Sequence, residues 1–148
     1  MMTTLSGATD TRIAVAARQY AVVPSALASG VTACMALPVG PKHVVMAGPS
    51  LAVTERAAGS VRLVLLGDAL DPRRCGLGND EILDGLLAQG LKTPEAIAAQ
   101  TAHLSGRWLL IAVIGDKVAV IPDMVALRPV YYSFRHPDGG FASDPAVT

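Results

Sequence analysis

The most constraining feature of this sequence is its closing stretch, residues 104–144, where four apolar segments are separated by short turns. Residues 107–114 form an almost unbroken apolar run, and residues 117–121 form a second one. Gly115-Asp116 between them is typical of the turn in a β-hairpin. A loop then leads to residues 130–135, and a Pro-Asp-Gly-Gly turn leads to a fourth segment that begins at Phe141. Four short strands joined in this way predict an antiparallel meander.

Residues 61–66 predict the strongest strand outside that stretch, ending at Gly67-Asp68. Apart from Arg62 the segment is apolar on both faces, which predicts a strand buried between two layers. Shorter strands are predicted at residues 32–37, 43–47 and 51–57, with Gly and Pro turns between them. Residues 11–22 could form either a short helix or a strand, and residues 1–10 predict a disordered tail.

Two helices are predicted between these strands. Asn79 is a suitable N-cap for a helix over residues 80–89, whose buried face would consist of Ile82, Leu83, Leu86 and Leu87. Thr93-Pro94-Glu95 predicts the start of a second helix, with Thr as the cap and Pro at the first position. Ser105-Gly106 is predicted to close it.

Composition excludes several classes of function. The 148 residues are enough for one domain with a substantial core, and 51% of them are hydrophobic while 16% are charged. The formal net charge is zero and no basic stripe is present, so a nucleic-acid partner is not expected. No apolar run is long enough to span a bilayer. The three histidines are isolated, and no metal site is predicted.

Two cysteines, Cys34 and Cys75, are too few for a disulfide framework. A bridge between them is possible in principle, but free thiols in a reducing cytoplasm are the interpretation that we favour.

Four motifs follow one another in the closing stretch: Gly106-Arg107-Trp108, Asp123, Arg128-Pro129-Val130-Tyr131-Tyr132 and Phe141-Ala142-Ser143-Asp144. Their types and their order resemble those of the class II glutamine amidotransferase domain, the N-terminal nucleophile hydrolase domain of asparagine synthetase, β-lactam synthetases and lasso-peptide cyclases. The family's Pro-Leu-Gly after the Asp is replaced by Met124-Val125-Ala126. The resemblance covers roughly residues 61–144 and extends only loosely to the first sixty.

The resemblance implies an α+β fold in which two antiparallel sheets pack face to face and the two helices cover one side. It implies one glutaminase-like domain over residues 11–148. Family domains normally add further strands after the last motif, so we expect either a truncated domain or a partner half on a separate chain.

The family's catalytic groups are largely absent from the sequence. The family nucleophile is a Cys directly after the initiator Met, whereas this chain reads Met1-Met2-Thr3-Thr4. Cys34 could act as the nucleophile if processing exposed it; we favour its interpretation as a buried strand cysteine. The family's oxyanion Asn is replaced by Leu66, while Gly67 remains and Asp68 stands for a Glu. Asn79 holds the place of the Asp that grips the substrate amine.

Gly67, Asp68 and Asn79 are therefore expected to be a remnant of a substrate site. Asp123 and Arg128 could form a ligand clamp, but a pair that ties a loop to a sheet is the favoured interpretation. Tyr131 and Tyr132 alternate on a strand, so one is expected in the core and the other at the surface or an interface. Trp108 is expected in the core.

The resemblance implies a non-catalytic glutaminase-like module that associates with an ATP-dependent, amide-forming synthetase domain or chain, with natural-product or peptide biosynthesis as a candidate setting. The alternative is an active glutaminase that uses a processed Cys34. ATP and magnesium are expected only in the associated synthetase, because this chain lacks the family's Ser-Gly-Gly-x-Asp-Ser pyrophosphate loop. A homo-oligomer in the cytoplasm is expected, with a monomer covered by its own N-terminal segment as the alternative.

Overall fold

The structure is a computed structural model that describes residues 13–145. The predicted N-terminal tail lies outside the described residues. In chain order the elements are β1 (Ile13–Ala14), β2 (Tyr20–Pro24), a 3-10 helix (Ser25–Gly30), β3 (Val31–Thr32), β4 (Met35–Val39), β5 (His43–Ala47), β6 (Val53–Ala58), β7 (Val61–Leu70), α1 (Asn79–Ala88), α2 (Pro94–Thr101), β8 (Ser105–Ile114), β9 (Lys117–Pro122), β10 (Tyr131–Ser133) and β11 (Gly140–Ala142).

The strands form two antiparallel sheets and one short parallel pair, β1 with β3. Sheet I has the strand order β6-β7-β8-β9, and sheet II has the order β10-β11-β2-β5-β4. Strands β7 and β8 pair antiparallel over their full lengths, from Val61 opposite Ile114 to Leu70 opposite Ser105. The prediction of a sheet-rich α+β fold with antiparallel sheets is confirmed.

Both faces of the two central strands of sheet I, β7 and β8, are buried over most of their length. On β7, Val64 and Leu66 pack with sheet II residues, while Leu63 and Leu65 pack against the helices. The side chains of β8 that face sheet II alternate in the same way: Leu109, Ile111 and Val113. A strand covered on both faces is apolar at most of its positions, which explains the long apolar runs in the sequence. The molecule is therefore layered as helices, sheet I and sheet II.

The predicted single meander at the end of the chain is wrong. Strands β8 and β9 belong to sheet I, whereas β10 and β11 belong to sheet II, and residues 123–130 cross between them. The chain leaves sheet I after Pro122, because Asp123 folds the following residues into a turn. Its Oδ1 accepts the N–H groups of Val125 and Leu127, both at 3.1 Å.

Several boundaries also differ from prediction. Strand β7 continues beyond Gly67-Asp68 to Leu70, since β8 pairs with it that far. Residues 13–22 form two short strands joined by a turn rather than one element. Helix α2 ends at Thr101, and the residues predicted to close it begin β8. Its predicted cap is confirmed, because Thr93 Oγ1 accepts the N–H of Ala96.

The predicted cap of α1 is wrong. Gly78 is the N-cap residue, and its own N–H donates to the carboxylate of Glu81 at 2.8 Å. Asn79 is the first helical residue and its side chain turns toward β7. Within residues 13–145, no helix is long and apolar enough to cross a membrane.

Candidate functional site

A polar pocket of about 220 Å³ lies where one end of sheet I meets sheet II. We call it the arginine pocket. Five segments of the chain contribute to it: the turn before β2, the link between β5 and β6, β7, β8, and residues 123–130, which we call the crossing loop. Its lining consists of Arg18, Ser50, Leu51, Ala52, Gly67, Asp68, Arg107 and Arg128.

Arg128 is the central side chain of the arginine pocket and is only 6% exposed. Its Nη1 donates to the backbone oxygen of Arg18 at 3.2 Å, and its Nη2 donates to that of Arg107 at 3.4 Å. One guanidinium thus joins a turn of sheet II to a strand of sheet I. Its Nε has no partner among the described residues. Burial lowers the pKa of Arg128, and the charge of Arg107 lowers it further; an arginine nevertheless stays protonated.

Gly67 allows this guanidinium to lie against β7. Its φ is +94°, in the region that side chains rarely adopt. A Cβ at this position would lie 2.3 Å from the backbone oxygen of Arg107 and 2.6 Å from Nη2 of Arg128. Gly67 therefore has a steric role in the packing of the pocket wall.

Asn79 lies beside Gly67 but does not line the arginine pocket. Its amide nitrogen donates to the backbone oxygen of Gly67 at 2.9 Å and to Oγ1 of Thr54 at 3.3 Å. Its amide oxygen accepts the N–H of Ala69 at 3.1 Å. The amide thus fixes the backbone on both sides of Asp68, which is a structural role for a residue that the resemblance placed at a substrate amine.

Asp123 and Arg128 are both buried, and no ion pair joins them within the described part of the chain. Asp123 binds backbone groups of the crossing loop, and Arg128 binds carbonyls of the two neighbouring segments. Each residue therefore holds the loop by hydrogen bonds to backbone groups, and not by an ion pair with the other residue.

The expectation that one of the two tyrosines lies in the core is wrong. Tyr131 is 44% exposed and Tyr132 is 60% exposed. Strand β10 is at the edge of sheet II, so only β11 packs beside it. The ring of Tyr132 contacts that of Phe141, with centroids 6.2 Å apart. Trp108 is buried as predicted, and its indole Nε1 has no partner among the described residues.

Cys34 is free and exposed, and the prediction of a buried strand cysteine is wrong. It lies just before β4, the edge strand of sheet II, where its N–H donates to the backbone oxygen of Ala47. Strand β5 separates it from β2, and Cys34 does not line the arginine pocket. Cys75 is likewise free and exposed.

Sequence reasoning did not find Arg18 and Arg107 as members of the site. Arg107 stands next to the Gly106 motif, and its charge within an apolar run was a usable signal. Arg18 gave no such signal in the sequence, because only the pairing of β2 with β11 and β5 brings the turn that contains Arg18 to this end of the sheets.

Among the described residues, three arginines and one aspartate line the arginine pocket, so its chemistry suits a negatively charged group. The described lining contains no thiol, imidazole or amine. No group of three or more His, Cys, Asp or Glu side chains that could hold a metal ion lies within residues 13–145. Comparisons with family models, with curated proteins and with solved structures gave no match for this chain.

Proposed function

We propose that this chain is a non-catalytic, glutaminase-like domain with an N-terminal nucleophile hydrolase-like architecture. It acts as a structural or binding module of an ATP-dependent, amide-forming enzyme similar to asparagine synthetase, in natural-product or peptide biosynthesis. One observation carries the proposal: Gly67 and Asp68, which correspond to one family motif, and Arg128, which corresponds to another, line the same pocket, and its described lining contains no thiol.

Glutamine hydrolysis in the family requires a thiolate beside an amine and donors aimed at the developing oxyanion. Leu66 occupies the place of the oxyanion Asn and is fully buried between the sheets. Asn79 directs its amide to the backbone of β7 and to Thr54. These assignments support a module that retains the family's framework without its chemistry.

The alternative function is an active glutaminase with a processed N-terminal Cys34. The exposure of this thiol favours the alternative, since a buried thiol could not attack a substrate. Its position outside the arginine pocket opposes it.

Ammonia release from glutamine tests the two candidates. We expect none above the buffer control, with Cys34→Ala unchanged. Cys75→Ala is the matched control, because that thiol is also free and exposed. Release that is abolished by Cys34→Ala and not by Cys75→Ala, together with an intact mass that starts at Cys34, would establish the active glutaminase.

The proposed partner is a synthetase domain or chain that supplies the ATP and magnesium chemistry, and the proposed compartment is the cytoplasm. A homo-oligomer is also proposed for the isolated chain. Large apolar side chains of the crossing loop, of β10 and of the residue after β10 form the surface that supports association. Each of them is at least 44% exposed: Met124, Val125, Leu127, Tyr131, Tyr132 and Phe134. Exposed apolar surface of this kind beside an edge strand favours association.

Light scattering over a concentration series tests the homo-oligomer. We expect a mass above one chain that Phe134→Ser reduces, because this ring is 87% exposed on the associating surface. Leu70→Ser is the control, since Leu70 is 58% exposed at the end of β7. A constant mass of one chain at all concentrations would contradict the proposal.

A further inference from the structure

We propose that the arginine pocket binds a small oxyanion, either a phosphate group or a carboxylate, between Arg18, Arg107 and Arg128. This pocket is also the site of the proposed function, to which anion binding adds a ligand class. Anion binding needs the guanidinium groups and not a nucleophile, so binding can fail while the proposed function holds, and the proposed function can fail while binding holds.

The described residues of the lining carry a surplus of positive charge. Arg18, Arg107 and Arg128 contribute three positive charges, and Asp68 contributes one negative charge. The nearby carboxylate of Asp123 is outside the lining; its Oδ1 accepts two backbone N–H groups, and its Oδ2 has no partner among the described residues. Even when Asp123 is counted, the surplus among the described residues is one positive charge.

Arg128 is a buried charge that forms no ion pair among the described residues. Burial of an unpaired charge is costly, so such groups are normally paired. Arg128 is nearly buried, and within residues 13–145 its guanidinium forms no ion pair and its Nε has no partner. Its two bonds to backbone oxygens orient the guanidinium. Burial lowers the pKa of Arg128 and the charges of Asp68 and Asp123 raise it through space, but neither carboxylate pairs with it directly. An anion in the pocket would supply the direct partner that Arg128 lacks.

The other two arginines lie at the pocket wall. Arg18 and Arg107 are exposed, and within the described chain neither side chain makes an ion pair. Their backbone oxygens are held by the same guanidinium, which keeps both residues at the pocket wall. Arginine is well suited to phosphate and carboxylate because its planar fork can donate two parallel hydrogen bonds.

The size of the pocket limits the ligand. A volume of about 220 Å³ is below the roughly 300–1,000 Å³ typical of sites for drug-sized molecules. It suits inorganic phosphate, or the terminal phosphate or carboxylate of a longer molecule whose remainder stays in solvent.

Calorimetric titration of the full chain at low ionic strength tests the inference, with inorganic phosphate in one arm and glutamate in the other. Binding of phosphate alone assigns a phosphoryl ligand, binding of glutamate alone assigns a carboxylate ligand, and binding of both supports the shared chemistry. Absence of heat in both arms at two temperatures, up to about 10 mM ligand, overturns it.

Three variants locate the binding. Arg18→Gln and Arg107→Gln change exposed side chains and should preserve the fold, and each should raise the Kd roughly tenfold through loss of a charge-assisted bond. Arg73→Gln is the matched control, because Arg73 is exposed in a loop outside the pocket. Equal weakening by the control would overturn the assignment to this pocket.

Asp68→Asn gives a test with the opposite sign. Asp68 is the only carboxylate among the described residues of the lining, and its removal should lower the Kd severalfold because its negative charge repels an anionic ligand. A merely structural role for Asp68 would not strengthen binding. Weaker anion binding in a folded Asp68→Asn variant would therefore contradict the inference.

Discussion

Replacement of Gly67 by alanine tests the packing of the arginine pocket directly. The new Cβ would lie 2.3 Å from the backbone oxygen of Arg107 and 2.6 Å from Nη2 of Arg128. The oxygen belongs to the paired strand β8, so it cannot move without a change in the ladder. Gly76→Ala is the matched control, because Gly76 has φ +92° and a Cβ added there would have no neighbour within 4 Å.

The two variants share the backbone cost, about 1–2 kcal/mol for a side chain at positive φ. They also share a gain of about 0.4–1 kcal/mol from the stiffer unfolded chain. Gly76→Ala should therefore destabilise by about 1 kcal/mol. Gly67→Ala should destabilise the fold by about 2–3 kcal/mol more than Gly76→Ala does, since displacement of Arg128 breaks hydrogen bonds from a buried charged group.

Urea unfolding followed by circular dichroism measures both free energies of unfolding. For a chain of this size the difference corresponds to a fall in Tm of roughly 4–12 °C for Gly67→Ala beyond that of the control. Equal destabilisation of the two variants would refute the argument that β8 and Arg128 close the space around Gly67.

Three further changes have expected outcomes. Asn79→Ala should destabilise by about 2–3 kcal/mol in urea unfolding, because it leaves backbone groups of β7 without partners; a loss below about 0.5 kcal/mol would contradict that role. Leu66→Asn should cost about 3 kcal/mol or more, because it places an amide in the core between the sheets, and it should release no ammonia from glutamine; a stable variant with glutaminase activity would contradict both expectations. Burial raises the pKa of Asp71, but hydrogen bonds from Arg73 and Arg74 outweigh it and hold that pKa below its ordinary value of 3.8. The stabilisation by Asp71 is therefore present above pH 3.8 and is lost as the pH falls through the folded pKa, so Asp71→Asn should be less stable at pH 7 and show a smaller decline in acid; parallel pH profiles of unfolding would contradict this.

Local features of the sequence determined the elements with the strongest patterns. The apolar runs at residues 61–66 and 107–114 identified β7 and β8, because most side chains of a strand that is covered on both faces contact other side chains and not water. Thr93-Pro94 identified the start of α2 because its cap bond spans only three residues. The buried position of Trp108 followed from its size and its place in an apolar run.

Tertiary contacts decided the remainder. The crossing from sheet I to sheet II after Pro122 depends on which sheet the last two strands join, and the turn pattern is the same in either case. Asn79 has the chemistry of a cap, yet the proximity of β7 gives its amide better-placed backbone partners.

The arginine pocket itself could not be predicted from the sequence. Its charges come from residues 18, 68, 107 and 128, which no local pattern connects. The sequence by itself determined that strands β7 and β8 would be buried, because apolar side chains must leave water wherever the chain places them. Only the pairing and packing of the sheets decided which charged residues meet at their end, because that proximity is a property of the folded chain as a whole.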